Sequence, residues 1–321
     1  MQSVTFDEIS RLTPSQMLDK AEATPPRDTH ERIVLPIIQE VGYALGSLIA
    51  VFTRPINAVC GLKSLCQTGL ETAQRFSKKN VVHVTKEMIA SSSNFSSELQ
   101  LKLLSVLYKI ENLQKKMGLN GNIDCLLVED GHAQLCGAPS SFRSFSVVIS
   151  PSFLKKHSHE EMEFILAHEL SHLKHYDSFR IPCFDMCVCL VQIAFIACLP
   201  LMISLPSIVL VSALAGRISI VWGKAVERRS DYEAMTTLNS TQSAVNYFSN
   251  KLKRHYMLKH ASFDEVRKLD PSISFDEYIA GNINFNSKGD ALGNHTHDAT
   301  TERLAQALSF KPQRVALGAA V

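Results

Sequence analysis

Phe164-Ile165-Leu166-Ala167-His168-Glu169-Leu170-Ser171-His172 is the stretch that indicates the chemistry of this chain, because it contains the pattern H-E-x-x-H. Just before it, Ser158 and Glu161 have the spacing of a capping box, which predicts that a helix begins near His159. Apolar residues recur at steps of three and four through the stretch, so the predicted helix has one buried face. The two histidines therefore lie one turn apart on the same side of the helix.

Two imidazoles in this arrangement can bind a single zinc ion. His168 and His172 are the predicted ligands. Glu169 lies beside them and is the predicted general base, which takes a proton from the attacking water. The alternative is a fortuitous match to the pattern, in which case the protein binds no metal.

A catalytic zinc needs a third protein ligand, and the sequence offers one 55 residues after His172. Glu227 and Asp231 form an E-x-x-x-D pattern in a predicted helix, so they lie one turn apart on one face. Glu227 is the predicted third ligand, and Asp231 is predicted to orient a ligand imidazole through a hydrogen bond. Asp177, five residues after His172, is a second carboxylate that could orient an imidazole from outside the metal sphere, or it could make a contact at the end of the helix.

The composition restricts the class of protein. The chain has 321 residues, 45% hydrophobic and 20% charged, which allows a sizeable core. Its net charge of +2 gives no reason to expect a nucleic-acid partner. The eight cysteines include no C-x-x-C pair, so we interpret them as buried thiols and not as a disulfide framework.

Residues 186–222 are the most apolar part of the chain, and Arg217 is their single charge. The run suits two short membrane helices within residues 183–222, with Ser204-Leu205-Pro206-Ser207 as the predicted turn. The zinc helix precedes this hairpin and Glu227 follows it, so both must lie on one side of any membrane. Flanking Lys and Arg residues predict that this side is cytoplasmic. A buried hairpin in a soluble enzyme is the alternative.

A second apolar stretch, residues 33–53, just reaches the length of one membrane span. Glu40 would be costly in the middle of a bilayer, so a helix lying on the membrane or on the protein is an equal alternative. The predicted organisation is a polar leader at 1–32 that is mobile or loosely packed, an apolar or amphipathic region at 33–79, a peptidase domain at 80–310 and a tail at 311–321.

Two runs ahead of the zinc helix have strand signals, residues 123–128 and residues 145–149. If the second run lies at a sheet edge, it could pair with an extended peptide and hold it across the metal. Val147, Val148 and Ile149 are therefore predicted to bind substrate, with a plain structural strand as the alternative. A helix is predicted from Ser97 to Met117, ended by Gly118.

The ordered motifs resemble the gluzincin peptidases that include HtpX and the CAAX prenyl protease type 1. The resemblance covers roughly residues 80–310 and rests on H-E-x-x-H at His168–His172, the hydrophobic hairpin and E-x-x-x-D at Glu227–Asp231. The stretch from His297 to Leu304 is similar to the family's H-P-…-R-[IL] element, with Asp298 in place of the proline.

The resemblance implies one zinc ion per chain, held by His168, His172 and Glu227, with Glu169 as the general base. It places His297 and Arg303 near the substrate. From the residues alone, either His295 or His297 could stabilise the oxyanion that forms when water attacks a carbonyl, or both could be ordinary loop histidines.

The expected fold is mainly α with a small β-sheet, an α+β zincin-type core interrupted by the hydrophobic hairpin. The expected function is that of a zinc endopeptidase with protein or peptide substrates, acting on misfolded or membrane proteins. It would be a multi-pass protein in contact with lipid in a bacterial cytoplasmic membrane, with an organelle membrane or a soluble state as alternatives. A zinc-bound chaperone-like or assembly protein without cleavage activity is the alternative function, and the oligomeric state is not predicted.

Overall fold

The computed structural model describes residues 4–26, 81–91, 95–128, 135–139, 144–292 and 297–311, with isolated helical positions between 37 and 49. The predicted segment 33–53 therefore falls largely outside the described residues. The elements in chain order are α1 (Phe6–Ser10), α2 (Pro14–Ala23), β1 (Val81–Val84), α3 (Lys86–Ser91), α4 (Ser97–Met117), β2 (Asn122–Val128), β3 (Leu135–Pro139), β4 (Ser144–Ile149), α5 (Pro151–Lys156), α6 (His159–Lys174), α7 (Asp177–Cys198), α8 (Leu201–Leu238), α9 (Gln242–His260), α10 (Phe263–Leu269), α11 (Phe275–Asn284) and α12 (Thr300–Ser309).

The fold is mainly helical with a small sheet, which confirms the predicted class. The two best-defined helix predictions are also confirmed. Helix α6 begins at His159, and Ser158 and Glu161 exchange both hydrogen bonds of the capping box. Helix α4 ends at Gly118, whose φ of 65° is the left-handed conformation that glycine adopts without steric cost.

The sheet has four strands in the order β1-β2-β4-β3. Strand β4 pairs parallel with β2 on one side and antiparallel with β3 on the other. The prediction of an edge position for residues 145–149 is therefore wrong. Because both neighbours already use its backbone groups, β4 has none left for a peptide, and Val147, Val148 and Ile149 are buried. Sequence alone could not place β3, a short run with Gly137 and Pro139, beyond β4.

The hydrophobic run forms a helical hairpin made of α7 and the first part of α8. The predicted turn at 204–207 is wrong, because α8 runs through Pro206 and the break lies at Leu199 and Pro200. A residue before proline is pushed to extended conformations, and Leu199 has φ −119° and ψ 149°. Pro206 lies in the second turn of α8, where it has no backbone N–H to donate to the carbonyl of Met202, so the helix continues there with one hydrogen bond fewer.

The outward surface of the hairpin is apolar. A hydrogen bond of 2.7 Å from Gln192 Nε2 to Ser212 Oγ joins its two helices from within. Large apolar side chains on both helices are exposed, including Leu190, Ile193, Ile196, Leu205, Leu210, Leu214, Ile218 and Val221. Among the described residues, one helix, Met202–Leu238, is long and apolar enough to cross a membrane, and only 22% of its most apolar window is buried. A core helix of a soluble protein would be mostly buried.

The predicted burial of the cysteines is only partly correct. Cys125 in β2 is buried, and desolvation raises the pKa of its thiol to about 12. Cys189 is buried too, whereas Cys183, Cys187 and Cys198 on α7 are exposed. The sequence could not separate these cases, because one apolar helix carries cysteines on both its packed and its outward side.

Contacts within the chain define two compact units. One contains Leu45–Val221 and Arg229–Thr237, and with them the sheet, α6 and the hairpin. The other contains Met1–Ala44, Trp222–Arg228 and Leu238–Val321, and with them α1, α2 and the helices after α8. The long helix α8 contributes residues to both units.

Residues 4–26, the described part of the predicted leader, are not the mobile or loosely packed segment that their polarity suggests. Helix α2 has its own capping box, and Met17 and Ala21 are fully buried. Lys253 of α9 donates to the carbonyl oxygens of Ser10 and Leu12 at 3.2 and 2.6 Å. The prediction failed because a short amphipathic helix needs few apolar residues when a larger helix supplies the other side of the contact.

We expect Met17→Ala to lower the free energy of unfolding by about 2–5 kcal/mol, because it leaves a cavity where a side chain is 0% exposed. Chemical denaturation of the purified protein measures this change. Glu22→Ala, on the exposed side of the same helix, is the control and should change it by less than about 0.5 kcal/mol. Equal effects of the two substitutions would show that α2 does not pack against the rest of its unit.

Candidate metal centre

The two histidines of H-E-x-x-H lie side by side on α6. His168 is buried and His172 is half-buried, and their Nε2 atoms are 3.0 Å apart. Their rings meet edge to face, with centroids 4.7 Å apart. Both Nε2 atoms therefore point at the same small volume beside the helix, as the one-turn spacing predicts.

A carboxylate holds the other nitrogen of each ring. His168 Nδ1 lies 2.8 Å from Asp231 Oδ1, and His172 Nδ1 lies 3.0 Å from Asp177 Oδ2. A carboxylate at neutral pH only accepts hydrogen bonds, so each Nδ1 carries the proton. In neutral imidazoles this leaves a lone pair on each Nε2, and the two lone pairs face each other.

Helix α8 brings a third candidate ligand to the same place. Asp231, which contacts His168, lies on α8, and Glu227 lies one turn earlier on the same face. Ligand atoms of His168, His172 and Glu227 all lie within 4.8 Å of one another. Two neutral nitrogens and one carboxylate oxygen are the donor set of many catalytic zinc sites.

The described residues fit a divalent metal such as zinc. Two facing lone pairs repel each other unless a cation lies between them, and the carboxylates hold both rings in this tautomer. Nitrogens bound to one tetrahedral zinc ion lie about 3.3 Å apart, close to the observed 3.0 Å between the two Nε2 atoms. Three protein ligands would leave a fourth position for water or substrate.

Residues of α8 also support the second imidazole. Arg229 donates a hydrogen bond to Asp177, and Ser230 Oγ lies 3.3 Å from His172 Nδ1. Burial alone would raise the pKa of Asp177, but hydrogen bonds from His172 and Arg229 outweigh it and hold this pKa below its usual value. Asp177 therefore stays ionised and can keep the proton of His172 on Nδ1.

We expect Asp231→Asn to weaken metal binding by roughly 10–100-fold, which is the usual loss of affinity when a carboxylate that orients a ligand histidine is replaced. The amide keeps the shape of the side chain but loses the charge that favours the Nδ1 proton of His168. Competition with a chelator of known affinity measures the change. Asp264→Asn, an exposed acid in the first turn of α10, is the control. An unchanged affinity in Asp231→Asn would contradict the orienting role.

The remaining predicted site residues lie as follows. Glu169 is half-buried on α6, next to His168. His297 Nδ1 lies 2.8 Å from Glu227 Oε2, and Arg303 Nη2 lies 3.7 Å from the same oxygen. Arg303 is buried, and its guanidinium stacks over the ring of Phe248. The predicted neighbours of the substrate therefore both contact the predicted third ligand.

The sequence did not reveal a further polar contact that ties α6 to α8. Glu233 accepts a hydrogen bond of 2.6 Å from Ser171 Oγ, and its other oxygen lies 2.8 Å from His175 Nε2. Glu233 follows Asp231 by two residues and Ser171 precedes His172, so this contact fixes the spacing of the helices beside the ligands. Its partners are 58 and 62 residues away in sequence, a separation at which no local pattern could indicate the pairing.

Comparison with known proteins agrees with this geometry. The profile of peptidase family M48 matches residues 138–310, which is more than half of the chain and includes both histidines, Glu227 and Arg303. No curated protein and no solved structure matches the chain. Because the family match includes the whole of α6 and α8, this chain belongs to peptidase family M48, a family of metallopeptidases.

Proposed function

We propose that the protein is a zinc-dependent endopeptidase that acts at a membrane. The observation that carries the proposal is the position of the His168 and His172 Nε2 atoms, 3.0 Å apart and close to Glu227. The Nδ1 atom of each ring lies against a carboxylate, which leaves Nε2 to bind a metal. In this proposal His168, His172 and Glu227 hold the metal. When bound, zinc lowers the pKa of water and polarises the scissile carbonyl.

The protein residues have separate roles in this reaction. Glu169 takes a proton from the attacking water and passes it to the leaving amine. Asp231 and Asp177 keep the two imidazoles in the tautomer that presents Nε2. His297 and Arg303 lie against Glu227, where positive charge or a hydrogen-bond donor would stabilise the negative charge that develops on the carbonyl oxygen.

The membrane part of the proposal rests on the hairpin. Its surface exposes many large apolar side chains on both helices, which soluble monomers rarely do. The buried hydrogen bond from Gln192 to Ser212 pairs two polar side chains between the helices of the hairpin, a type of contact that joins helices in lipid. Lipid around the hairpin would favour unfolded or membrane proteins as substrates, since these present extended segments near the bilayer.

The proposed function is tested with detergent-purified protein and an unfolded model protein as substrate. We expect about one zinc ion per chain by elemental mass spectrometry. A chelator should stop cleavage, and added zinc should restore it. Zinc binding without cleavage of any unfolded substrate would favour a chaperone-like role, and absence of bound metal would refute the proposed site.

We expect Leu210→Lys to reduce partitioning into lipid vesicles by about 100-fold. A charge near the middle of an apolar membrane helix costs about 2.5–3.5 kcal/mol, and Leu210 is exposed near the middle of the apolar part of α8. Flotation of the purified protein with vesicles measures the bound fraction. Leu101→Lys, at an exposed leucine of α4, is the matched control and should bind like wild type. Equal partitioning of the two variants would contradict membrane contact through the hairpin.

A further inference from the structure

Asp298 has a buried side chain that forms a partly buried ionic contact with α8, next to the proposed metal ligand. Its side chain is only 1% exposed. Arg228 donates two hydrogen bonds to this carboxylate, from Nε to Oδ2 and from Nη2 to Oδ1, the second with a length of 2.9 Å. Lys224 Nζ lies 3.7 Å from Oδ1. Lys224 and Arg228 are one turn apart on α8, and Arg228 is the residue that follows Glu227.

From its position in the sequence, Asp298 could instead cap the start of α12. It lies just before α12, where a carboxylate commonly accepts hydrogen bonds from the first backbone N–H groups of a helix. The N-cap residue of α12 is Ala299, however, whose own side chain makes no capping hydrogen bond. Asp290 binds the backbone N–H and the hydroxyl of Thr301 in the first turn instead. The carboxylate of Asp298 is directed to α8 and not to its own helix.

The ion pair links the segment that contains His297 to the part of α8 that contains Glu227. Asp298 is the residue after His297, and Arg228 is the residue after Glu227. The Asp298–Arg228 ion pair is therefore next in sequence, on both sides, to the His297–Glu227 contact. A bidentate guanidinium–carboxylate pair restricts both distance and orientation. Since His297 Nδ1 and Glu227 Oε2 are 2.8 Å apart, the ion pair and this contact form two adjacent links between the same two segments.

We propose that Asp298 is a positioning residue, which through Arg228 and Lys224 holds His297 against Glu227. The inference rests on the proposed function, because it assigns Asp298 to the same active site. Asp298 does not touch the reacting atoms in this proposal. Its substitution should therefore act through His297, and should lower kcat more than it raises KM.

The first test is a double-mutant cycle. We expect Asp298→Asn and Arg228→Ala each to lower kcat by roughly 10–100-fold with zinc content unchanged, since displacement of a supporting group costs about this much. In a His297→Ala background, Asp298→Asn should have almost no further effect. Arg254→Ala, which breaks the Arg254–Asp270 pair at 2.9 Å elsewhere in the same unit, is the matched control for general loss of stability.

The second test does not depend on activity or on zinc. The NMR resonance of the His297 ring, assigned by its loss in His297→Ala, should shift in zinc-free Asp298→Asn and stay in place in Arg254→Ala. An inactive wild type would refute the proposed function and leave this measurement valid. The positioning role would be overturned if the His297 resonance did not move in Asp298→Asn. It would also be overturned if the effects of Asp298→Asn and His297→Ala on kcat were independent, so that the double variant showed the product of the two.

Discussion

Glu169→Gln should abolish peptide hydrolysis while the protein still binds about one zinc ion per chain. We expect kcat to fall by roughly 100-fold to 10,000-fold, which is the usual contribution of a positioned general base. The amide has the size of the carboxylate but cannot accept the proton of the attacking water. Glu169 is not among the three residues that form the candidate metal group, so the metal should remain.

Cleavage of an unfolded model protein and the zinc content are measured on the same preparations. Glu160→Gln is the matched control, because it makes the same chemical change in the first turn of the same helix, at an exposed position. It should keep full activity. Wild-type rates in Glu169→Gln would remove the base assignment, and loss of zinc would show that Glu169 supports the metal directly.

Glu227→Ala should release the metal. We expect zinc affinity to fall by more than about 100-fold, since even residues that only orient a ligand contribute roughly 10–100-fold. The substitution also removes the carboxylate that Arg303 contacts, which leaves the buried guanidinium without that negative charge. Activity should disappear with the metal.

Zinc affinity in Glu227→Ala is measured by competition with a chelator, and the melting temperature is recorded in parallel. Glu302→Ala, an exposed acid of α12, is the control and should bind zinc as wild type does. Full zinc content in Glu227→Ala would refute Glu227 as the third ligand. Two histidines alone could then hold the ion only with a ligand from elsewhere in the chain.

Much of the fold was predictable wherever a local pattern determines the structure. The capping box at Ser158 and Glu161 fixed the start of α6, and Gly118 fixed the end of α4, because caps and left-handed glycines act over three or four residues. The turn of the hairpin was misplaced by a few residues because both Pro200 and Pro206 fall in one apolar run. Sequence cannot tell which proline ends a helix and which begins one.

The candidate site was predictable to the same extent. His168 and His172 share a helix, and so do Glu227 and Asp231, so one-turn spacing sufficed to choose both pairs. The position of Val147, Val148 and Ile149 in the sheet was wrong, because the order of strands depends on a pairing with β3 that leaves no local signal. The N-terminal helices were missed for a similar reason, since the apolar surface that buries Met17 lies on distant residues.

The sequence by itself determined the chemical identity of the proposed ligands, the helices that carry them and the apolar hairpin between them. Each of these depends on residue type and on spacing within a few turns. Only the tertiary structure decided that Asp231 meets His168, that Asp177 meets His172, and that Asp298 is held by Arg228 beside Glu227. Carboxylates are common on helix surfaces, and only the packing of distant segments selects the few that lie against an imidazole or a guanidinium.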